Sequence, residues 1–105
     1  MPMMPDIFHL EVDNDDRKIR IESLGLFVNR ENRPQFERML RETKWSGVVD
    51  ISVWTPDAVK ALVTVCADKK LSITIKHGSR YFMPIRFPQR LLLDSFAESI
   101  ISGEL

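Results

Sequence analysis

Few side chains in this sequence have the types and spacing that enzyme chemistry requires, and Asp50 is the best candidate among them. It follows apolar residues in a predicted strand, near the carboxyl end where the sites of α/β proteins gather, so it could act as a general base or accept a phosphoryl group. No second titratable residue at a readable spacing accompanies it, whereas catalysis needs several convergent groups. The alternative is a solvated carboxylate on an open sheet face. We therefore predict no catalytic residues.

Metal and cofactor sites are not indicated either. The two histidines, His9 and His77, fall on a polar strand face and in a turn, and Cys66 is the single cysteine, so the clusters that bind zinc are missing. The acidic run around Asp15 starts like a calcium loop, but no glycine or distal glutamate completes it. We predict no metal and no cofactor, and we expect Cys66 to be a small buried apolar residue.

Length and charge limit the classes of protein to which the chain can belong. Its 105 residues predict a single compact domain over residues 1–105. Fifteen basic and fifteen acidic residues cancel, so no bulk charge attracts nucleic acid or anionic lipid. The first residues do not read as a secretory signal, and no apolar stretch is long enough to cross a bilayer. We expect a cytoplasmic protein that does not bind membranes.

The element that should position any site is a strand–helix–strand unit between Gly47 and Gly78. Apolar residues alternate with polar ones at positions 49, 51 and 53, and again at 71, 73 and 75, as in half-buried strands. Between them, Thr55 can cap a helix, Pro56 suits its first position and Asp57 suits its first turn. This pattern predicts two parallel strands joined by a helix.

The remaining elements complete a predicted order of β-β-α-β-α-β-β-α. Alternation indicates further strands at 8–12, 18–22 and 81–87, and helical spacing indicates helices that begin at Asn32 and at Pro88, the second ending at Gly103. Gly25 interrupts the alternation as either a bulge or a strand end. Each strand is apolar on one face only, which predicts an α/β fold of the α+β type. We expect a two-layer sandwich in which a mixed sheet carries the helices on one face.

Charge is distributed unevenly along the chain. Residues 6–16 contain five acids and no Lys or Arg, whereas residues 69–90 contain six bases and no acid. In the basic stretch Arg80 and Arg86 lie close to Tyr81 and Phe82. Such residues bind nucleic acid by phosphate pairing and base stacking, and they are also enriched at protein interfaces. A third interpretation is internal, with the acidic first hairpin lying beside the basic last one.

Trp54 has two open interpretations. If the strand alternation continues to residue 54, the indole lies on the polar sheet face with Asp50, where it would mark a binding surface. Alternatively, Trp54 ends its strand and packs under the following loop, since large aromatic side chains are rarely fully exposed.

The order of elements after residue 18, with Asp50 in the central strand and a helix following it, resembles that of the STAS regulatory domains. Where the phosphorylatable serine motif of that family should open the helix, this chain reads Thr55-Pro56-Asp57-Ala58, without the paired serines and glycine. The resemblance is therefore one of topology, and it transfers no functional residue.

Together these observations predict a small non-catalytic protein-binding or regulatory module that recognises another protein. We expect its source to be a bacterium or a phage. The predicted partner-binding residues are Arg80, Tyr81, Phe82, Arg86 and Trp54. Arginine would supply forked hydrogen bonds and the rings would supply apolar contact area. Nucleic-acid binding through the same hairpin is the alternative. The leucine run at 91–93 also predicts self-association through the C-terminal helix.

Overall fold

The computed structural model describes residues 17–42, 47–70, 73–82 and 87–103, which form helices and a small mixed sheet. The helices are α1 (Arg17–Leu24), α2 (Arg33–Glu42), α3 (Pro56–Lys69) and α4 (Leu93–Ser102), and the strands are β1 (Gly47–Asp50), β2 (Ile73–His77) and β3 (Arg80–Phe82). Short 3₁₀ turns at Gly25–Phe27 and Arg90–Leu92 follow α1 and precede α4. The fold is therefore of the α+β class. Within these residues, no helix is both long enough and apolar enough to cross a membrane.

The predicted strand–helix–strand unit is confirmed as β1, α3 and β2. The two strands pair in parallel, with Gly47 opposite Ile73. Thr55 caps α3 as expected, because its Oγ1 accepts a hydrogen bond from the Ala58 N–H at 3.2 Å, and Pro56 takes the first helical position. The helix ends at Lys69, and Lys70 caps it with a φ of 53°, in the left-handed conformation that closes many helices.

The predicted hairpin after β2 is also confirmed. β3 pairs antiparallel with β2, and the turn between them contains Gly78 with a φ of 62°, a conformation that glycine adopts without strain. The strand order is β1-β2-β3. The regular strand ends at Phe82, and Phe87, where the last strand was expected to end, lies outside any strand. Residues 83–86 lie outside the described part of the chain.

The two faces of this sheet differ in β1 and β2 as the alternation predicts, but β3 is reversed. The alternation places Tyr81 with the apolar side chains, whereas Phe82 packs against the core and Tyr81 lies exposed on the polar face. Val49, Ile75 and Phe82 lie on one face, where Val49 and Ile75 are buried and Phe82 packs against the core. Helix α3 shares that core and is buried on nearly every side from Ala58 to Cys66, with α2 and α4 packed against it. The opposite sheet face carries polar and half-exposed residues.

The strand predicted at 18–22 is wrong, because α1 occupies Arg17–Leu24. Alternation over so few residues does not exclude a helix, and Ile21 and Leu24 have the three-residue spacing of a helical face. Ile21 is buried and Leu24 packs against the core, so tertiary packing selected the helix. The strand predicted at 8–12 lies outside the described residues, and the eight-element order is therefore not confirmed.

Cys66 is buried within α3, and this burial raises the pKa of its thiol to about 12. The reactive form of cysteine is the thiolate, which this environment suppresses. We therefore expect the native protein to resist a thiol-specific reagent at about pH 8, near the ordinary thiol pKa, and to react only as it unfolds. The measurement is the labelling rate against urea concentration, with the fully unfolded chain as control. Labelling of the native protein at the rate of the unfolded chain would contradict this assignment.

Candidate protein-interaction surface

A row of three side chains crosses the polar face of the sheet. Asp50 lies opposite Lys76 in register, and Lys76 lies opposite Tyr81. The Lys76 Nζ is 3.7 Å from Asp50 Oδ2 and 5.9 Å from the centre of the Tyr81 ring, in cation–π geometry. Tyr81 remains 57% exposed. The sheet therefore presents an aromatic ring that its neighbours hold in place.

Asp50 fastens the loop that follows β1. Its Oδ1 accepts hydrogen bonds from the N–H and the hydroxyl of Ser52, and Ser52 Oγ in turn accepts a hydrogen bond from the Gly78 N–H at 2.8 Å. The two Ser52 hydrogen bonds are the largest effects that lower the pKa of Asp50; burial opposes them, and the charge of Lys76 adds a smaller lowering effect. Asp50 is therefore ionised at neutral pH and has a structural role in fastening this loop.

Trp54 is buried, so the expectation of an exposed anchor is wrong. Its Nε1 donates a hydrogen bond to the Glu22 carbonyl at 2.9 Å, and its ring meets Phe36 edge-on, with ring centres 5.5 Å apart. The alternation does not reach residue 54 because β1 ends at Asp50 and the chain turns there, with the Trp54 N–H bonded to the Ile51 carbonyl. Trp54 supports a surface instead of forming one.

The surface that Trp54 supports was not anticipated from the sequence. The 3₁₀ turn at Gly25–Phe27 lies directly on the indole, and Thr55 bonds to both sides of that turn, since its N–H donates to Gly25 O at 3.3 Å and its Oγ1 to Val28 O at 2.7 Å. Leu26, Phe27 and Val53 are then left 46%, 65% and 65% exposed. The only sequence signal was the apolar pair after Gly25, in a segment with no clear periodicity.

The predicted hairpin residues divide by environment. Arg80 Nη1 donates to the Gly103 carbonyl at 2.9 Å, and its guanidinium carbon is 5.1 Å from the centre of the Phe82 ring, so Arg80 joins β3 to the end of α4. Phe82 is half-buried against the core. Arg80 and Tyr81 are both exposed, and Tyr81 offers the aromatic contact area. Arg86 lies outside the described residues.

Several bases of the stretch from 69 to 90 have partners within the chain. Lys69 Nζ donates to the Arg41 carbonyl at 2.6 Å, and Lys76 and Arg80 have the partners given above. These contacts agree with an internal role for the basic stretch. The acidic stretch at 6–16 lies outside the described residues.

These contacts join three segments: the 3₁₀ turn, the loop after β1 and the β2–β3 hairpin. We define the carboxyl-end surface as five side chains of these segments, Leu26, Phe27, Val53, Lys76 and Tyr81. The Ser52–Gly78 hydrogen bond holds the loop after β1 beside the β2–β3 turn, and Trp54 and Thr55 hold the 3₁₀ turn beside that loop. Exposed aromatic and aliphatic side chains on a well-packed support, next to a charge pair, are typical of protein interfaces.

Gly25 should tolerate no side chain, since a Cβ there would overlap the Trp54 indole. We expect Gly25→Ala to lower the free energy of unfolding by about 1–3 kcal/mol through overpacking, as measured by urea denaturation. Gly25 has no positive φ, so this cost is steric. The same substitution should cost far less in a Trp54→Leu background, where the ring is absent. An equal loss of unfolding free energy in the two backgrounds would show that Gly25 does not pack against the Trp54 ring.

Asp50 should contribute to stability in a pH-dependent way. Its pKa in the folded protein lies below the ordinary value of 3.8, so its stabilisation is present above that value and is lost as the pH falls through the folded-state pKa. We expect the free energy of unfolding, measured with urea, to be higher for wild type than for Asp50→Asn at neutral pH. This difference should become smaller in acid. Ser52→Ala, which removes the hydroxyl donor, should also reduce this pH dependence. A difference in unfolding free energy that stays constant with pH would contradict a stabilising role for the Asp50 carboxylate.

Comparisons with known proteins give no indication of a function for this chain. No protein-family model, no curated protein and no solved structure matches the chain. Among the described residues, no group of three or more His, Cys, Asp or Glu side chains could hold a metal ion.

Proposed function

We propose that this chain is a small protein-binding module that binds its partner through the carboxyl-end surface and catalyses no reaction. The observation that carries this proposal is the exposure of Leu26, Phe27 and Val53 on loops that are firmly fastened to the core. The segments that carry these side chains are joined by the Thr55 hydrogen bonds to Gly25 and Val28, and exposed apolar side chains on adjoining segments are typical of surfaces that another molecule covers.

The support beneath this surface favours tight binding. Trp54 is held by one hydrogen bond and by its edge contact with Phe36, and Thr55 holds the turn that carries Phe27 through two more hydrogen bonds. Loops that are already ordered lose little conformational entropy when a partner docks. The carboxyl-end surface is thus arranged for binding before the partner arrives.

The chemistry of the partner follows from the charges. Lys76 is paired with Asp50 at 3.7 Å, so the charged part of the surface is internally neutral. The partner is therefore a protein that contacts this surface mainly with apolar side chains. The affinity between the two proteins should change little with salt concentration. Nucleic-acid binding, the alternative, requires a steep loss of affinity as salt rises.

The test uses a partner identified by affinity capture from the source cells and then purified. Phe27→Ser and Tyr81→Ala should each weaken its binding about tenfold or more, as expected for truncation of a central interface side chain. The matched control is Leu91→Ser, which removes an exposed leucine outside this surface. Affinity is measured by titration calorimetry in solution at two salt concentrations.

Two results would overturn the proposal. One is unchanged affinity in both Phe27→Ser and Tyr81→Ala while circular dichroism shows that the variants are folded. The other is binding to a random single-stranded oligonucleotide that is as tight as binding to the protein and falls steeply with salt. The second result would replace protein recognition with nucleic-acid recognition.

A further inference from the structure

Helix α1 lies against the outer edge of the sheet. Strand β1 is a terminal strand of the sheet that the described residues form, and α1 contacts it directly. The Ile51 N–H donates to the Lys76 carbonyl across the sheet at 2.8 Å, so the Asp50 N–H, one residue earlier, points to the opposite edge. There it donates to Glu22 Oε1 of α1 at 2.8 Å. The Glu22 carboxylate thus takes the position that a backbone carbonyl of a neighbouring strand would take.

The helical form of α1 depends on its contacts more than on its own propensity. It has eight residues, whereas an isolated helix in water needs about 12–15. Its first turn contains no acid and begins with Arg17 and Lys18, whose charges oppose the helix dipole. Buried Ile21, Leu24 against the core and the hydrogen bonds of Glu22 attach it to the rest of the described chain. We therefore expect α1 to open more readily than α3.

The edge that α1 covers is one on which another strand could pair. A strand edge whose backbone groups lack partners is a template for strands of other chains. The strand that is always present at the same concentration as this edge is β1 of a second copy. Two copies of one edge can pair antiparallel about a two-fold axis, because the outward N–H and C=O groups of each copy then meet. In the structure Glu22 covers this edge at Asp50 instead.

We propose that α1 is a strap whose Glu22 carboxylate prevents β1 from pairing with β1 of a second copy. While this carboxylate accepts the Asp50 N–H, that donor is not available to another chain. Without the carboxylate, a backbone carbonyl of the second copy takes its place, and the sheets of the two copies join along β1. The role is separate from the proposed function, because Trp54 is bonded to the Glu22 backbone carbonyl, which any side chain at position 22 leaves in place.

The first measurement is hydrogen exchange of single backbone amides by NMR in dilute solution. Glu22→Ala deletes the acceptor, so the Asp50 amide should exchange about tenfold faster or more than in wild type, as expected for the loss of a hydrogen bond to a charged group. The Ile51 amide, which is bonded across the sheet, is the internal reference and should change much less. Glu22→Gln keeps an oxygen acceptor at the same position and should retain most of the protection of the Asp50 amide.

The second measurement is self-association by sedimentation velocity over a range of concentrations. Glu22→Ala should associate about tenfold more strongly than wild type or more, and its Asp50 amide should become protected again as the concentration rises. Glu22→Gln should associate as wild type does. Two matched controls should also behave as wild type: Glu31→Ala removes an exposed acid elsewhere, and Val63→Ala weakens the core in α3 without altering the β1 edge. Circular dichroism confirms that each variant is folded.

Three results would overturn the proposal. The first is an Asp50 amide that exchanges at the wild-type rate in Glu22→Ala. The second is a folded Glu22→Ala protein that associates no more strongly than wild type. The third is association of Val63→Ala that equals that of Glu22→Ala, because a general loss of stability would then be the cause. None of these results bears on partner binding through the carboxyl-end surface, which is tested by Phe27→Ser and Tyr81→Ala.

Discussion

The packing of the Trp54 indole against Gly25 is the contact on which the rest of this structure depends. The ring lies between the 3₁₀ turn and α2, where its edge meets Phe36, and its N–H is bonded to the Glu22 carbonyl at the end of α1. One side chain thus brings together segments that are far apart in the sequence. Only glycine fits above the ring, so the identity of residue 25 and the position of residue 54 constrain each other.

Glu22 extends this constraint to the sheet. Its carbonyl accepts the hydrogen bond from the indole, and its carboxylate accepts one from the Asp50 N–H at 2.8 Å. The second bond satisfies a backbone donor of β1, which is a terminal strand of the sheet formed by the described residues. The Asp50 carboxylate accepts hydrogen bonds from Ser52, and the Ser52 hydroxyl accepts one from the Gly78 N–H. A continuous series of contacts therefore runs from α1 to the β2–β3 turn, and the exposed apolar side chains lie along it.

The charged groups of the described residues act mainly within the chain. Arg33 contacts Glu37 and Thr64, and Arg41 contacts Asp68, so ion pairs and hydrogen bonds join neighbouring helices. Such pairs fix the relative positions of helices more than they add stability. Among the described residues, exposed apolar side chains lie in the carboxyl-end surface and in the 3₁₀ turn before α4. We propose the carboxyl-end surface as the site at which another protein binds.

The sequence by itself determined the βαβ unit, the hairpin after it, the apolar face of β1 and β2 and the burial of Cys66, because periodicity, caps and turn residues act locally. It assigned the faces of β3 the wrong way round, since Phe82 and not Tyr81 packs against the core. It did not determine α1, because a short alternating segment suits either a strand or a helix until Ile21 and Leu24 meet a core. Nor did it locate the carboxyl-end surface. Tyr81 was found from its neighbours along the chain. The segments that carry Phe27 and Val53 are joined only when Trp54 packs under Gly25, and local sequence patterns do not predict a contact between residues so far apart in the chain.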